Sequence, residues 1–208
     1  CFEIERQLRA TLDIPVFHDD QHGTAIVVLA ALTNALRCVA KTLASARIVI
    51  AGGGAAGTAI VTLLLAAGAS RVLVWDVEGI LSPNDPSLNP AKAALAAATN
   101  PAAVTGELHD ALRGADVFIG VSAPGVLPAA WIADMARSPV VFALANPDPE
   151  VDVDAAQANA EVLATGRSDY PNQINNVLAF PGVFRGLLDA RAREVTTAML
   201  LGAAAAIS

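Results

Sequence analysis

Charged, aromatic and cysteine residues are scarce in this sequence. Of 208 residues, 16% are charged and 4% are aromatic, and the two cysteines are Cys1 and Cys38. Two cysteines provide neither a disulfide framework nor a metal-binding thiolate set, so we expect structural cysteines and a reducing compartment. The formal net charge is −7 and basic residues do not cluster, which argues against nucleic acids and anionic membranes as partners.

Long apolar runs are missing as well. No segment approaches the roughly 18 apolar residues of a membrane-spanning helix, and no cationic segment precedes a short apolar core as in a signal peptide. We therefore expect a cytoplasmic protein with no membrane partner. The chain begins at Cys1 and stops within an apolar segment that resembles an unfinished helix, so we expect a fragment of a longer protein.

Hydrophobic residues make up 54% of the chain, and short apolar runs alternate with segments of helical length. The runs predicted as strands are 47–51, 71–75, 117–120 and 140–144. The segments predicted as helices are 3–12, 23–43, 58–67, 90–99, 107–113 and 128–136. Strands that alternate with helices form a parallel sheet with right-handed crossovers. The expected fold class is therefore α/β, a doubly wound parallel sheet with flanking helices.

The first expected strand leads directly into a glycine loop with the spacing G-x-G-x-x-G. Gly52 would make the tight turn, Gly54 would let a pyrophosphate approach the backbone, and Gly57 would let the next helix pack closely on the strand. Ala55 and Ala56 would lie at the helix N-terminus, where phosphates bind. A purely structural turn is the alternative, since small-residue turns are common at such junctions. The flanking strands favour a Rossmann-type dinucleotide site.

The second expected strand ends at Asp76, roughly 20 residues beyond the glycines, where an acidic residue binds the adenosine ribose diol. A 2′-phosphate requires a nearby Arg or Lys, whereas Val77 and Glu78 follow here and Lys92 is the first cation beyond. This favours NAD as the cofactor. NADP is the alternative, because Lys92 could fold back over the ribose instead of occupying a solvated helix position.

Two adjacent carboxylates, Asp19 and Asp20, stand between an extended apolar run and the long expected helix. Neighbouring like charges repel unless a cation offsets them, so the pair indicates a metal ion, a lysine or an arginine. The alternative is a helix N-cap, for which aspartate is a favoured residue.

Polar residues follow two later strands, at the sheet edge where such folds bind ligands. Ser122 follows the third expected strand, and Asn146 follows the fourth, directly before a proline. Asn146 could contact a nicotinamide ribose or a substrate, although Asn-Pro is also a frequent turn signal. Asn175 and Asn176 belong to an amide-rich segment that would suit a substrate with carboxylates, or would only satisfy loop backbone.

Several of these segments together closely resemble the cofactor-binding half of malic enzymes, particularly the bacterial type. The segments are 14–25, 52–57, 142–147, and 172–176 with 180–182. The resemblance covers the chain essentially end to end. It implies that 1–208 is an NAD(P)-binding domain, in which 1–43 is a helical lead-in that carries part of a metal site and 44–208 is the Rossmann-type core.

The resemblance also implies a role for each candidate residue. Asp20 resembles the family's ligand for Mg²⁺ or Mn²⁺, and Asp19 resembles the neighbouring carboxylate that supports the metal site and a lysine base. Asn146, Asn175 and Asn176 resemble the amides that hold the substrate. The residues that resemble cofactor contacts are Gly52, Gly54, Ala55, Ala56, Gly57, Asp76, Ser122 and Asn146.

The activity implied by the resemblance is oxidative decarboxylation of L-malate to pyruvate and CO₂, with hydride transfer to NAD(P) and a divalent metal ion. The family's tyrosine acid, lysine base, substrate-binding arginine and a Glu-Asp pair of the metal shell would all precede Cys1. We therefore expect the N-terminal catalytic lobe to be absent and this chain to be inactive alone. His18 and His22 have no acid–base role in the family and are expected to pack or to begin the helix.

Malic enzymes are commonly oligomeric, so we expect a homo-oligomer in the full-length protein. Two other functions remain as alternatives. A metal-independent amino-acid or shikimate-type dehydrogenase would share this nucleotide domain. A non-catalytic nucleotide-sensing module would bind the cofactor without turnover.

Overall fold

The computed structural model describes residues 2–208 and contains a six-stranded sheet. The strands are β1 (Arg47–Ala51), β2 (Arg71–Asp76), β3 (Gly79–Ile80), β4 (Val117–Gly120), β5 (Val140–Ala143) and β6 (Val162–Thr165). Their order is β3-β2-β1-β4-β5-β6, in which β3 is antiparallel to β2 and the other pairs are parallel. The winding reverses between β1 and β4, the switch point where doubly wound sheets bind ligands.

Helices cover both faces of this sheet. The α-helices are α1 (Phe2–Thr11), α2 (Thr24–Cys38), α3 (Ala55–Ala66), α4 (Pro90–Thr99), α5 (Leu108–Leu112), α6 (Val153–Ala156), α7 (Phe180–Asp189) and α8 (Thr197–Ile207). A π-helical turn spans Asp19–Gly23, and 3₁₀ turns span Ala129–Asp134 and Asn176–Leu178. None of the helices within residues 2–208 is long and apolar enough to cross a membrane.

Two apolar cores enclose the sheet, one on each face. In β1, Ile48 and Ile50 belong to the core formed with α2, α3 and α8, whereas Val49 and Ala51 belong to the core formed with α5 and α6. Because alternate side chains of a strand point to opposite faces, a strand buried on both sides is apolar throughout. The expected doubly wound α/β sheet is therefore confirmed.

Helix α2 ends at Cys38, earlier than the expected Leu43. Ala40 adopts a left-handed conformation with φ 54°, and the Lys41 N–H donates to the Leu36 carbonyl at 2.9 Å. This backbone arrangement closes a helix C-terminus. The Lys41 ammonium then reaches carbonyls of the loop before β5, so a long-range contact accompanies the end of α2.

Helix α7 lies outside the expected helical segments, and several short elements also differ from the sequence pattern. Strands β3 and β6 lie outside the expected runs, because β3 has two residues and β6 is buried in only half of its length. The expected helix over 128–136 is the 3₁₀ turn Ala129–Asp134. Cys38 is free and exposed rather than structural, and Cys1 lies outside the described residues.

Candidate active site

A crevice with a volume of about 260 Å³ opens beyond the carboxyl ends of β4 and β5. Residues from distant parts of the sequence line it. Those among the expected site residues are Asp20, Ala56, Ser122, Asn146, Asn175 and Asn176. The fold thus brings the metal, nucleotide and substrate candidates to one opening near the switch point of the sheet.

The glycine loop joins β1 to α3 with very little space between backbone segments. Gly52 has φ 115°, and a Cβ atom there would lie 2.6 Å from the Val121 carbonyl oxygen. A Cβ atom on Gly57 would overlap the Gly52 carbonyl, so a side chain there would push α3 away from β1. These contacts explain why two of the three positions require glycine.

The start of α3 faces open space. Gly54 occupies the N-cap position, Ala55 and Ala56 form the first turn, and no side chain of the described residues caps the helix. A Cβ atom built on Gly54 would meet no described atom within 4 Å. The first N–H groups of α3 are therefore available to an anion such as a pyrophosphate.

Asp76 ends β2 beside the glycine loop, at some distance along the sheet from the crevice. Its Oδ2 atom accepts a hydrogen bond of 2.9 Å from the Gly53 N–H and lies 3.1 Å from the Lys92 Nζ. Lys92 also donates to Glu78 at 2.7 and 2.8 Å. Burial alone would raise the pKa of Asp76, but backbone N–H donors and the Lys92 ammonium outweigh it and leave the pKa lowered. An ionised acceptor is thus held at the expected ribose position.

Asp19 and Asp20 lie side by side in the π-helical turn that precedes α2. Asp20 is exposed on the crevice wall, whereas Asp19 accepts a hydrogen bond from the Asn176 amide. The Oδ1 atom of Asp19 is buried and has no partner among residues 2–208. Burial, with the neighbouring Asp20 charge, raises the pKa of Asp19 against the opposing effects of His18 and Asn176. Within the described chain neither carboxylate caps the π-helical turn or α2.

The three asparagines of the crevice differ in the hydrogen bonds that their side chains form within the chain. Asn146 is exposed, and its amide donates one long hydrogen bond of 3.4 Å to the Leu144 carbonyl. The Asn175 side chain accepts from the Val177 N–H at 2.9 Å and so caps a 3₁₀ turn. Asn176 donates to Asp19. Asn146 is therefore the amide with most capacity left for a ligand, while the other two also hold the local fold.

The π-helical turn is tied to α1 through a buried acid. Glu5 accepts a hydrogen bond of 2.8 Å from the Gln21 amide, and its Oε1 atom lies 2.7 Å from the His22 Nε2. The His18 Nδ1 is buried and has no hydrogen-bond partner within residues 2–208. His22 thus takes part in packing α1 against the turn that carries the two aspartates.

Glu150 is a buried acid near the site that sequence patterns do not identify. Its carboxylate accepts from the N–H groups of Ser122 at 2.8 Å and Ala145 at 3.0 Å. Burial raises the pKa of Glu150, and these N–H donors oppose the shift. The available sequence signal is weak: an acidic residue ends the same proline-rich turn that begins with Asn146.

The described residues suit part of a metal shell. No group of three or more His, Cys, Asp or Glu side chains that could hold a metal ion occurs within residues 2–208. Asp20 nevertheless presents an exposed carboxylate to a crevice that also contains three side-chain amides. Carboxylate and amide oxygens are the hard donors that Mg²⁺ and Mn²⁺ accept. Further ligands would have to come from outside the described chain.

Residues 21–208 match the family described as "Malic enzyme, NAD binding domain". The chain is 55% identical over 208 residues to the NAD-dependent malic enzyme of Geobacillus stearothermophilus, a match that covers 100% of this chain and 44% of that protein. It is 49% identical over 211 residues to the NADP-dependent malic enzyme of Halomonas elongata, covering 100% of this chain and 49% of that protein.

The fold is also similar to solved structures. The crystal structure of the NAD-dependent malic enzyme from Thermotoga maritima superposes with a TM-score of 0.95 at 49% identity, covering 99% of this chain and 55% of that one. The malic enzyme from Pyrococcus horikoshii gives a TM-score of 0.92 at 46% identity, covering 98% and 50%. The chain spans about half the length of these relatives. The chain therefore belongs to the malic enzyme family, and the matching region is the family's NAD-binding domain.

Proposed function

We propose that this chain is the nucleotide-binding part of an enzyme that oxidatively decarboxylates L-malate to pyruvate and CO₂, with hydride transfer to NAD or NADP. The crevice beyond β4 and β5 carries the proposal, because the start of α3, Asp20 and the Asn146 amide meet there. Hydride transfer requires the substrate beside the nicotinamide, and candidate contacts for both line this crevice. The names of the relatives support malate as the substrate.

In this proposal the dinucleotide crosses the carboxyl edge of the sheet. The pyrophosphate binds the free N–H groups at the start of α3, beside Ala55 and Ala56 and close to the bare backbone of the glycine loop. The ionised Asp76 accepts hydrogen bonds from the adenosine ribose. Ser122 and Asn146 contact the nicotinamide end. The loop residues of the site are Gly52, Gly54 and Gly57.

We assign malate and the metal ion to the crevice itself. Asp20 is the chain's ligand for Mg²⁺ or Mn²⁺, and Asn146, Asn175 and Asn176 hold substrate carboxylates. Asp19, hydrogen-bonded to Asn176, keeps a carboxylate beside Asp20 and supports a lysine base from outside the described residues. A bound divalent ion supplies Lewis acidity to the substrate oxygen on which negative charge develops.

The charges around Asp76 favour NAD over NADP. Lys92 already contacts two carboxylates, those of Asp76 and Glu78, so the three side chains together leave an excess of negative charge. An excess of negative charge opposes a 2′-phosphate and suits a ribose diol. Relatives of both cofactor types match this chain, so NADP stays the alternative.

Nucleotide titration and malate oxidation test the proposal together. The chain should bind NADH with a measurable dissociation constant, and the full-length protein should form pyruvate from L-malate with Mn²⁺ while the chain alone does not. Failure of the chain to bind either NADH or NADPH would refute the nucleotide site. Activity of the full-length protein that survives chelation of divalent metal would instead indicate a metal-independent dehydrogenase.

We also propose that 1–43 and 44–208 form the lead-in and core of one NAD(P)-binding domain in a cytoplasmic homo-oligomer. Exposed apolar side chains on the helices, such as Ile4 at 65% and Leu188 at 70% exposure, support a surface that another lobe or another subunit covers. The exposed thiol of Cys38 supports a reducing compartment. Sedimentation of the full-length protein tests the assembly, and the mass of one subunit would contradict it.

A further inference from the structure

Glu150 is fully buried, with 0% of its surface exposed, and it lies behind the crevice rather than in its lining. Within residues 2–208 no basic side chain forms an ion pair with it, so backbone N–H groups are its main partners. A buried carboxylate without a counter-ion is costly, and an apolar side chain of similar size would avoid that cost. The buried carboxyl group of Glu150 therefore requires an explanation other than filling space.

The two carboxylate oxygens of Glu150 bind two different loops. Its Oε1 atom accepts from the Ser122 N–H at 2.8 Å and lies 3.3 Å from the Ser122 hydroxyl. Its Oε2 atom accepts from the Ala145 N–H at 3.0 Å. Ser122 follows β4, and Ala145 follows β5 and precedes Asn146. One side chain thus connects the ends of two neighbouring strands.

The space for this carboxylate is provided by the strand beneath it. A Cβ atom on Gly120, the last residue of β4, would lie 2.6 Å from Oε1 of Glu150. The main chain of Pro149 and Glu150 is also bound to the loop that follows β4. The Leu127 N–H donates to the Glu150 carbonyl at 2.9 Å, and the Gly125 N–H donates to the Pro149 carbonyl at 3.2 Å. The turn 145–150 is therefore docked against the loop that follows β4.

We propose that Glu150 is a positioning residue, which holds Ser122 and Asn146 at the separation that the nicotinamide end of the cofactor requires. This inference rests on the proposed function. The Asn146 side chain has one long hydrogen bond of its own, so its position depends on the backbone that Glu150 fixes from behind. Preorganisation of this kind needs two acceptors on one side chain, which a carboxylate has and an amide lacks.

The test compares Glu150→Gln with the wild-type chain. The glutamine keeps the size of the side chain, but its NH₂ group must face the N–H of Ser122 or Ala145, donor against donor. We expect the dissociation constant for NADH to rise by about tenfold. Amide hydrogen exchange should also become faster at Ser122 and Ala145. Both are measured at a temperature at which the variant is folded.

A matched control separates positioning from general stability. Asn100 is 1% exposed and braces another loop by hydrogen bonds to Leu81 and Val104, beside the amino ends of β1 and β2. Asn100→Ala should lower the unfolding temperature without changing the dissociation constant for NADH. If Glu150→Gln also leaves that constant unchanged while the wild-type chain binds NADH, the positioning role is refuted and the proposed function stands.

If Glu150→Gln does not fold, amide hydrogen exchange in the wild-type chain tests the positioning role instead. Slow exchange of the Ser122 and Ala145 amides before NADH is added would support loops that are already held in place. Exchange that becomes slow only after NADH is added would overturn the proposal. If the wild-type chain binds neither NADH nor NADPH, the proposed function fails and the positioning role fails with it.

Discussion

The Lys92 ammonium lies 3.1 Å from the Asp76 carboxylate, so a cation from α4 reaches the acid that ends β2. The same ammonium contacts Glu78, and only 15% of its side chain is exposed. Burial alone would lower the pKa of Lys92, but the two carboxylates outweigh it and leave the pKa raised. Lys92 therefore stays charged at the edge of the proposed ribose site, where it bears on the choice between NAD and NADP.

Replacing Lys92 should change the relative affinity for the two cofactors. In Lys92→Gln the nearby carboxylates lose their cation, so the repulsion of a 2′-phosphate grows while a ribose diol is less affected. We expect the ratio of the NADPH to the NADH dissociation constant to rise by about tenfold. Fluorescence titration with both nucleotides measures it. Lys41→Gln is the control, since Lys41 pairs with Asp116 instead, and an equal change in that variant would contradict the assignment.

A methyl group at Gly57 should separate α3 from β1. The new Cβ atom would overlap the Gly52 carbonyl, so we expect Gly57→Ala to destabilise the fold by about 1–3 kcal/mol and to weaken NADH binding. Chemical denaturation and NADH titration measure the two effects. Gly202→Ala is the matched control, because a Cβ atom on Gly202 meets no described atom within 4 Å beyond its chain neighbours and its own helix backbone. Equal stability and equal NADH affinity of the two variants would contradict the close approach of Gly57 to the Gly52 carbonyl.

The Asp116–Lys41 ion pair should make stability depend on pH in the acid range. Burial alone would raise the pKa of Asp116, but the Arg47 N–H at 2.8 Å and the Lys41 ammonium at 2.8 Å leave it lowered. A lowered carboxyl pKa contributes stability above the unfolded-state pKa, and this contribution is lost as pH falls through the folded-state pKa. The relevant window therefore lies below about pH 4.

Asp116→Asn should reduce the free energy of unfolding by about 2 kcal/mol at pH 7. The difference from wild type should shrink as pH falls below about 4, because the wild-type carboxyl is then protonated as well. Urea denaturation at several pH values measures this. Asp154→Asn, an exposed change on α6, should leave the profile unaltered. A difference that stays constant from pH 7 to pH 2 would show that the ion pair is not its source.

Asp20→Asn should lower Mn²⁺ affinity and malate oxidation together in the full-length protein. An amide has one weaker oxygen donor in place of a charged carboxylate, so we expect a loss of at least about tenfold in Mn²⁺ affinity. Electron paramagnetic resonance of free Mn²⁺ gives the affinity independently of turnover. Asp189→Asn is the control, since that carboxylate pairs with an exposed arginine on α7. Unchanged metal dependence in Asp20→Asn would remove Asp20 from the site.

Much of the fold follows from local patterns. Apart from the arginine that begins β1 and the one that begins β2, the strand runs around Ile48, Val74, Phe118 and Val141 are apolar. Both faces of the sheet are covered, and the structure confirms these runs as strands. Strand β6 begins with Val162, Leu163 and Ala164, but this apolar run is short and its first two residues are only partly buried. It is recognised as a strand only through its pairing with β5.

Some features of the candidate site can also be recognised in the sequence, whereas others depend on the fold. The glycine spacing and the acid at the end of β2 are recognisable in sequence because the nucleotide fold requires them at set distances along the chain. The hydrogen bond between Asp19 and Asn176 joins residues at opposite ends of the chain. Such a long-range pairing produces no recognisable pattern in the sequence. The same holds for the position of Glu150 under the ends of β4 and β5.

The sequence by itself determined the alternation of strands and helices, the glycine turn and the presence of an acid after β2, because each depends on residues close together in the chain. Only the tertiary structure decided which side chains meet. In the folded chain Asp76 forms an ion pair with Lys92, Asp19 accepts a hydrogen bond from Asn176, and Glu150 is buried away from water. Charge and hydrogen-bond energies depend on distance and burial in space, and these are properties of the folded chain.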